Sequence, residues 1–229
     1  MIPVDDLRYE VKLIAPQNYL PRLMATLRCH PRALAPLYPP RWVNNVYFDS
    51  YDLSRLNQNY AGVNDRTKLR YRWYGEDMDG SGGHLEFKMK HGRLGWKRSI
   101  PLARPLHLRT MNWTSILERV RASLPEDLLV PARHIDQPVL INRYHRRYFA
   151  TADRAVRVTV DVDQKYWNQW ATTRPNLVFP TQPPGTLVVE VKAHRSAAEA
   201  VRRVLAGFPL SVSKNSKYVE GCEHMVTLG

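Results

Sequence analysis

The chain has 229 residues, 44% hydrophobic and 24% charged, with 6 Trp and 12 Tyr; this is the composition of a folded protein, expected to form one domain over 1–229. Its 34 Lys and Arg against 21 Asp and Glu leave a formal net charge of +13, which points to anionic partners but does not choose among nucleic acid, lipid headgroups and phosphates. No apolar run approaches the roughly 18 residues of a membrane span, and the polar, acidic start MIPVDDLRYE is not a secretory signal. Cys29 and Cys222 have neither metal-ligand nor disulfide-framework spacing. The expectation is a cytoplasmic protein with reduced thiols, whose membrane association would need a partner or an electrostatic patch.

In chain order, a strand is predicted over 7–14 and a helix over 16–29, followed by a Pro-rich stretch, 30–42, read as a loop. A strand over 44–50 and a helix over 51–58 come next. Strands over 66–75, 83–91 and 94–101, joined by GEDMDGSGG and HGR turns, form a meander. A helix over 112–124 carries Ile116, Leu117, Val120 and Leu124 at helical spacing. Strands over 138–150 and 154–163 precede a second loop, 168–185, with four prolines. The chain then has a strand over 185–193 and helices over 195–206 and 214–225, the last with Ser213 as its N-cap.

Charge recurs at every second residue of the strands. Arg8, Glu10 and Lys12 alternate with Tyr9, Val11 and Leu13; Lys68, Arg70 and Arg72 with Leu69, Tyr71 and Trp73. Glu86, Lys88 and Lys90 alternate with Leu85, Phe87 and Met89, and Glu190 and Lys192 with Val189 and Val191. Residues two apart share one strand face, so each strand has an apolar face and a cationic one. Eight mostly antiparallel strands suffice for a small barrel. The class expected is α+β: a closed antiparallel β-barrel of about eight strands with a basic, polar-lined tunnel, flanked by amphipathic helices.

Same-face like charges about 6.6–7 Å apart repel by roughly 2–3 kcal/mol at an effective dielectric near 20. Arg70 with Arg72, Lys88 with Lys90, Arg143 with Arg147 and Lys214 with Lys217 would be costly together unless an anion joined them, or unless they form a merely solvated face. Glu10, Glu86 and Glu190 read either as cross-strand ion-pair partners or as ligands of Mg²⁺ or Mn²⁺, which prefer carboxylate, phosphate and water oxygens. Asp161 and Asp163 read as further ligands or as a strand end, and His145 as structural or anion-touching. No nucleophilic triad, P-loop or His metal motif is present in the sequence. Positioning and charge stabilisation are what phosphoryl transfer asks of a protein.

RYEVK, VYFDS, KLRYRWY, LEFKMK, GWKRS, NRYHRRYF, VRVTVD, LVVEVK and SKNSKYVEG, in order from Arg8 to Glu220, resemble the motifs of the VTC domain, the catalytic part of polyphosphate polymerase in the triphosphate tunnel metalloenzyme and CYTH-like superfamily. The resemblance implies a tunnel barrel that transfers the γ-phosphate of a nucleoside triphosphate to polyphosphate with Mn²⁺ or Mg²⁺. It implies phosphate-binding roles for Lys12, Arg70, Arg72, Lys88, Lys97, Arg143, Arg157, Lys192, Lys214 and Lys217. Glu190 matches the metal-binding glutamate, Glu10 is a weaker candidate, and Arg70, Arg72, Lys88, Arg143 and Glu190 form the expected catalytic set. Arg8 stands where CYTH triphosphatases carry a first glutamate, which favours polymerase. The SPX-type region and membrane helices of the eukaryotic subunits are not in the sequence. A triphosphatase and a non-catalytic polyphosphate-binding module are the alternatives. Nucleic acid is not an expected partner, because Tyr71, Trp73 and Phe87 lie opposite the charges.

Overall fold

The computed structural model describes residues 8–91 and 94–226. Leu7 of the first predicted strand and the Gly92–Arg93 turn lie outside the described residues. The strands are β1 (Arg8–Pro16), β2 (Ala35–Asp49), β3 (Arg66–Tyr74), β4 (His84–His91), β5 (Leu94–Pro101), β6 (Gln137–Ala150), β7 (Val156–Asn168) and β8 (Thr186–His194). They close in the order β1-β5-β4-β3-β2-β6-β7-β8, with every neighbouring pair antiparallel. The helices are α1 (Leu20–Arg28), α2 (Ser54–Tyr60), α3 (Trp113–Ala122), α4 (Glu126–Ala132), α5 (Ala198–Ala206) and α6 (Lys217–Val226).

The apolar phase of the strands faces outward onto these helices. Leu69, Tyr71, Trp73, Leu85 and Phe87 form one core with Trp113, Ile116 and Val120 of α3 and Leu128 of α4. Val156, Val158, Val160, Val189 and Val191 form a second with Leu23 and Leu27 of α1 and Val201 and Val204 of α5. Each fully buried Val, Leu or Phe contributes about 1.5–3 kcal/mol, so the fold is held by its jacket. The charged phase is thereby turned inward.

A smaller core of Tyr47, Leu56, Val139, Leu140, Tyr166, Tyr218 and Cys222 seats α6 against one end of the barrel. Gly221 allows that approach, because a Cβ there would lie 2.4 Å from Leu140 and 2.6 Å from Tyr166. The other end is lined by the starts of β1 and β2 and the ends of β3, β6 and β8.

Four expectations are corrected. Most of the 30–42 stretch belongs to β2, which begins at Ala35; Pro36 borders one slip of the β2–β6 register, between Pro36 and Tyr38, and Pro39 and Pro40 lie within another, between Tyr38 and Arg41, irregularities at which a strand tolerates proline. β7 runs on to Asn168, past a left-handed Asp163 (φ 55°) that hydrogen-bonds Gln17, through its own N–H and by accepting from the Gln17 amide. The seven-residue α4, with Pro131 inside it, was not predicted. The last helix opens at Lys217 rather than 214, and the Ser216 carbonyl accepts its first bond from the Glu220 N–H, so Ser213 is not its cap.

Candidate active site

β3, β4 and β5 deliver one cluster to the barrel interior. Glu86, whose side chain is 0% exposed, accepts from Arg70 Nε at 2.8 Å and Nη2 at 2.5 Å on Oε2. Its Oε1 accepts from Lys97 Nζ at 2.7 Å and contacts His84 Nε2 at 3.2 Å. Arg72 Nη1 lies 3.6 Å from Oε2, while its Nε donates to Asn45 and its Nη2 to the Tyr144 hydroxyl. Burial alone would raise the Glu86 pKa, but Arg70 and Arg72 outweigh it and hold the carboxylate ionised far below its usual range. Both oxygens are saturated. Glu86 clamps the Arg70 guanidinium and supplies counter-charge to Arg72, whose plane Asn45 and Tyr144 hold.

β1, β6, β7, β8 and α6 build the second cluster. Arg146 makes a two-point pair with Asp161, at 2.5 and 2.7 Å, and reaches Glu190 Oε2 at 3.1 Å. Lys217, projected inward from the first turn of α6, lies 2.6 Å from Asp161 and 4.7 Å from the Tyr144 ring centroid. Lys192 Nζ donates to Glu190 Oε2 at 2.5 Å. Glu190 Oε1 has looser neighbours: Lys12 at 3.5 Å and Lys217 at 3.8 Å. Lys12 also lies 3.3 Å from Glu10, which accepts from Lys88 at 2.9 Å. Against the cost of burial, Lys192, Arg146 and Lys12 depress the Glu190 pKa, and Lys88, Lys192 and Lys12 depress that of Glu10. Burial likewise opposes the charge of Lys12 and Lys217, yet Glu190 and Glu10 raise the first, and Asp161 and Glu190 the second.

Lys68 differs from the other interior cations. No carboxylate pairs with it among the described residues; its Nζ donates to Ser216 Oγ at 2.9 Å and sits 5.6 Å from the Tyr218 ring. Burial, with Lys88 and Lys12 adding repulsion, brings its pKa down to about 7. Beyond it Tyr218 stacks on Tyr47, with centroids 5.2 Å apart, and donates to Asp49 Oδ2 at 2.6 Å, covering the end of the interior nearest α6.

The structure brings Lys12, Arg70, Arg72, Lys88, Lys97, Lys192, Lys217, Glu10 and Glu190 to one interior. Arg157 shares the inward phase of Thr159 and Asp161 but is exposed at the opposite rim. Lys214 is exposed, in the segment before α6. Arg143 also lies outside, its guanidinium 4.2 Å from the Trp42 ring centroid and donating to the Glu76 carbonyl at 3.0 Å; His145, beside the same Trp42, and Arg147 share that outer phase. The expectation that Arg143 points inward is therefore wrong by one residue of strand phase, and Asn142, Tyr144 and Arg146 point inward instead. Val139, Ile141 and Phe149 share the phase of Arg143, and that apolar company was the signal that marks the outer face. Asp161 faces in and Asp163 does not.

The family model of the VTC domain matches residues 7–226. The chain belongs to the VTC domain family. No curated protein sequence matches it. Among solved structures, a putative adenylate cyclase from Vibrio parahaemolyticus is similar to this VTC domain with a TM-score of 0.52 and 11% identity, over 95% of this chain and 98% of that one. That likeness shows the closed-barrel fold and nothing further. A Pyrococcus horikoshii protein follows at TM-score 0.48 and 12% identity, over 94% of this chain and 98% of that one. A putative adenylyl cyclase from Hippeastrum, described as having a dominant triphosphatase activity, has a TM-score of 0.46 and 13% identity, over 93% and 92% of the two chains.

The family implies a divalent cation, and the interior carboxylates differ in their fitness to hold one. Asp161 and Glu86 have every oxygen in a short contact with a cation. Glu190 keeps Oε1 in long contacts only, while Glu10, beside it through Lys12 and Lys192, has both oxygens bonded by the single ammonium of Lys88, at 3.1 and 2.9 Å. Among the described residues no group of three or more His, Cys, Asp or Glu converges on a metal position. Two hard carboxylates fit Mg²⁺ or Mn²⁺ of the kind completed by substrate phosphate oxygens and water.

Proposed function

We propose that this VTC domain is a metal-dependent phosphotransferase that moves the γ-phosphate of a nucleoside triphosphate onto a polyphosphate chain inside the barrel. One observation carries the reading: Arg70, clamped by Glu86, and Arg72 beside it stand among more interior lysines than carboxylates, in a family of triphosphate-handling barrels. Because Glu86 fixes the Arg70 plane, and Asn45 and Tyr144 that of Arg72, before any ligand arrives, their remaining donors meet phosphate oxygens without reorganisation. Lys88 donates to both oxygens of Glu10, Lys192 to Glu190 and Lys12 to the Asn215 carbonyl, so all three ammonium groups are gathered on the β1–β8 side, where an incoming anion would meet them. Glu190 and Glu10 would hold Mg²⁺ or Mn²⁺, which would polarise the transferring phosphoryl group and offset its charge. Lys68, without a carboxylate, would take up a proton on contact with phosphate. The terminal phosphate of an acceptor chain is itself an oxyanion nucleophile, so the chain need supply no general base.

Hydrolysis is the second reading, and the Tyr47–Tyr218–Asp49 closure favours it, since a polymer leaving by that end would have to displace α6. Purified protein incubated with ATP and Mn²⁺ or Mg²⁺, with polyphosphate and inorganic phosphate assayed separately, decides between them. Polyphosphate rising with ADP supports the polymerase. Inorganic phosphate alone supports a triphosphatase, and no consumption of ATP supports a binding module.

A further inference from the structure

The barrel end away from α6 carries a feature that phosphate binding does not require. Arg41 of β2 lies 4.0 Å from the Tyr74 ring centroid and 5.1 Å from that of Tyr148, and its Nε donates to the Tyr148 hydroxyl at 3.0 Å. Tyr38 meets Tyr148 edge-on, with centroids 5.7 Å apart. Tyr148 and Tyr74 are in the inward phase, two residues beyond Arg146 and Arg72 on their strands, so this cluster is the rim of the charged interior. Tyr38 is nonetheless 54% exposed and Tyr74 40% exposed. Arg157 lies close enough to Tyr38 and Arg8 for each to shift its charge equilibrium, and no described carboxylate pairs with it.

Exposed aromatic faces cost solvation without adding to the apolar cores, which lie on the other side of the strands. An arginine lying over one tyrosine ring and hydrogen-bonded to the hydroxyl of a second makes a cation–aromatic platform of the sort that binds a base, and every base has a π-face to offer. Strand geometry sets the distance: positions 74 and 72, or 148 and 146, are about 6.6–7 Å apart. A ligand with its base on the rim therefore extends its phosphates directly towards Arg72 and Arg146.

We propose that the Tyr38–Arg41–Tyr74–Tyr148 rim is a nucleobase subsite, which makes a nucleoside triphosphate, rather than inorganic tripolyphosphate, the preferred ligand of this barrel. The base stacks on Tyr38 and on the Arg41–Tyr74 layer, and Arg157 meets the phosphates as they pass inward. This rests on the interior being the phosphate site.

The test compares ATP with tripolyphosphate, by titration calorimetry in chelator, on wild-type protein and on Tyr38→Leu, Tyr38→Phe and Tyr74→Leu. Wild-type protein should bind ATP more tightly than its phosphate charge alone accounts for. Tyr38→Leu should weaken ATP by about 5-fold to 150-fold, leave tripolyphosphate within 2-fold, and be rescued by Tyr38→Phe. Retained tripolyphosphate binding also shows that the variant is folded. Unchanged ATP affinity in both leucine variants, or an equal loss of both ligands, would overturn the subsite while leaving the phosphate interior standing. Failure of wild-type protein to bind either ligand would overturn the interior reading and the subsite with it. Equally strong binding of a single-stranded oligonucleotide lacking a triphosphate would assign the rim to nucleic acid and overturn the proposal.

Discussion

Glu86 and Glu190 begin as equivalents: each sits on an inward strand phase two residues before a lysine, and each ends up buried among cations. Their oxygens differ. Glu86 has both filled by contacts of 2.5–3.2 Å from Arg70, Lys97 and His84, whereas Glu190 leaves Oε1 with neighbours no closer than 3.5 Å. A saturated carboxylate organises cations, and an unsaturated one remains available to a ligand. The β3–β5 side of the interior is thus built as a rigid arginine clamp, and the β1–β8 side as an adjustable lysine and carboxylate network.

The largest effect should come from breaking the clamp. Glu86→Gln leaves two buried guanidiniums without their counter-charge, and losing one partner of a buried pair costs about 3–5 kcal/mol. Urea unfolding should show that loss, together with loss of tripolyphosphate binding. An unchanged midpoint would mean that Glu86 is not structural.

Glu190→Gln should do the reverse. Asp161 and Glu10 remain to balance the same cations, so the stability loss should be less than half that of Glu86→Gln, while metal-dependent turnover of ATP falls by about 100-fold or more. Tripolyphosphate affinity in chelator should hold or rise, since Lys192 and Lys12 lose a competitor. Wild-type turnover and metal dependence in the variant would make Glu190 another clamp.

Arg146 and Arg143 sharpen the contrast between inside and outside. Removing a charge-assisted donor costs about 1.5–3 kcal/mol, so Arg146→Gln should weaken tripolyphosphate roughly 10-fold to 100-fold. Arg143→Gln, which loses only its contacts with Trp42 and Glu76, should stay within about 2-fold. Equal losses from the two would contradict the strand phase.

The smallest effect concerns pH. Burial lowers the folded Lys68 pKa to about 7, below that of a lysine in the unfolded chain, so the unfolded state binds more protons above that pH and stability of the free protein rises as pH increases from about 7 towards 10.5. Bound phosphate favours the protonated form, so tripolyphosphate affinity should fall as pH rises above 7, by at most about 10-fold per unit. Lys68→Met should flatten that slope in titrations between pH 7 and 9. A slope unchanged in the variant would remove Lys68 from the site.

Strand alternation made much of this legible. On β3, β4 and β8 the apolar phase is unbroken, so Lys68, Arg70, Arg72, Glu86, Lys88, Glu190 and Lys192 could be assigned to one face without knowing the fold. On β6 both phases mix aromatic and basic residues within NRYHRRYF, and only the apolar Val139, Ile141 and Phe149 at its edges mark the phase of Arg143 as the outer one. The outer half of β2 was hidden by its prolines, which are tolerated at register slips that only the partner strand reveals. The difference between Glu86 and Glu190 depends on distances across the barrel, between residues as far apart in sequence as Lys12 and Glu190, and no local window contains it. The rim of Tyr38, Arg41, Tyr74 and Tyr148 was invisible for the same reason.

The most direct measurement is a crystal soaked with tripolyphosphate and Mn²⁺, read by anomalous scattering. A manganese peak bonded to the Glu190 carboxylate, with phosphate oxygens against Arg70, Arg72 and Lys12, is the predicted result. A peak within the Glu86 cluster, or phosphates on the outer face beside Arg143, would contradict the division of the interior into clamp and ligand-holding sides.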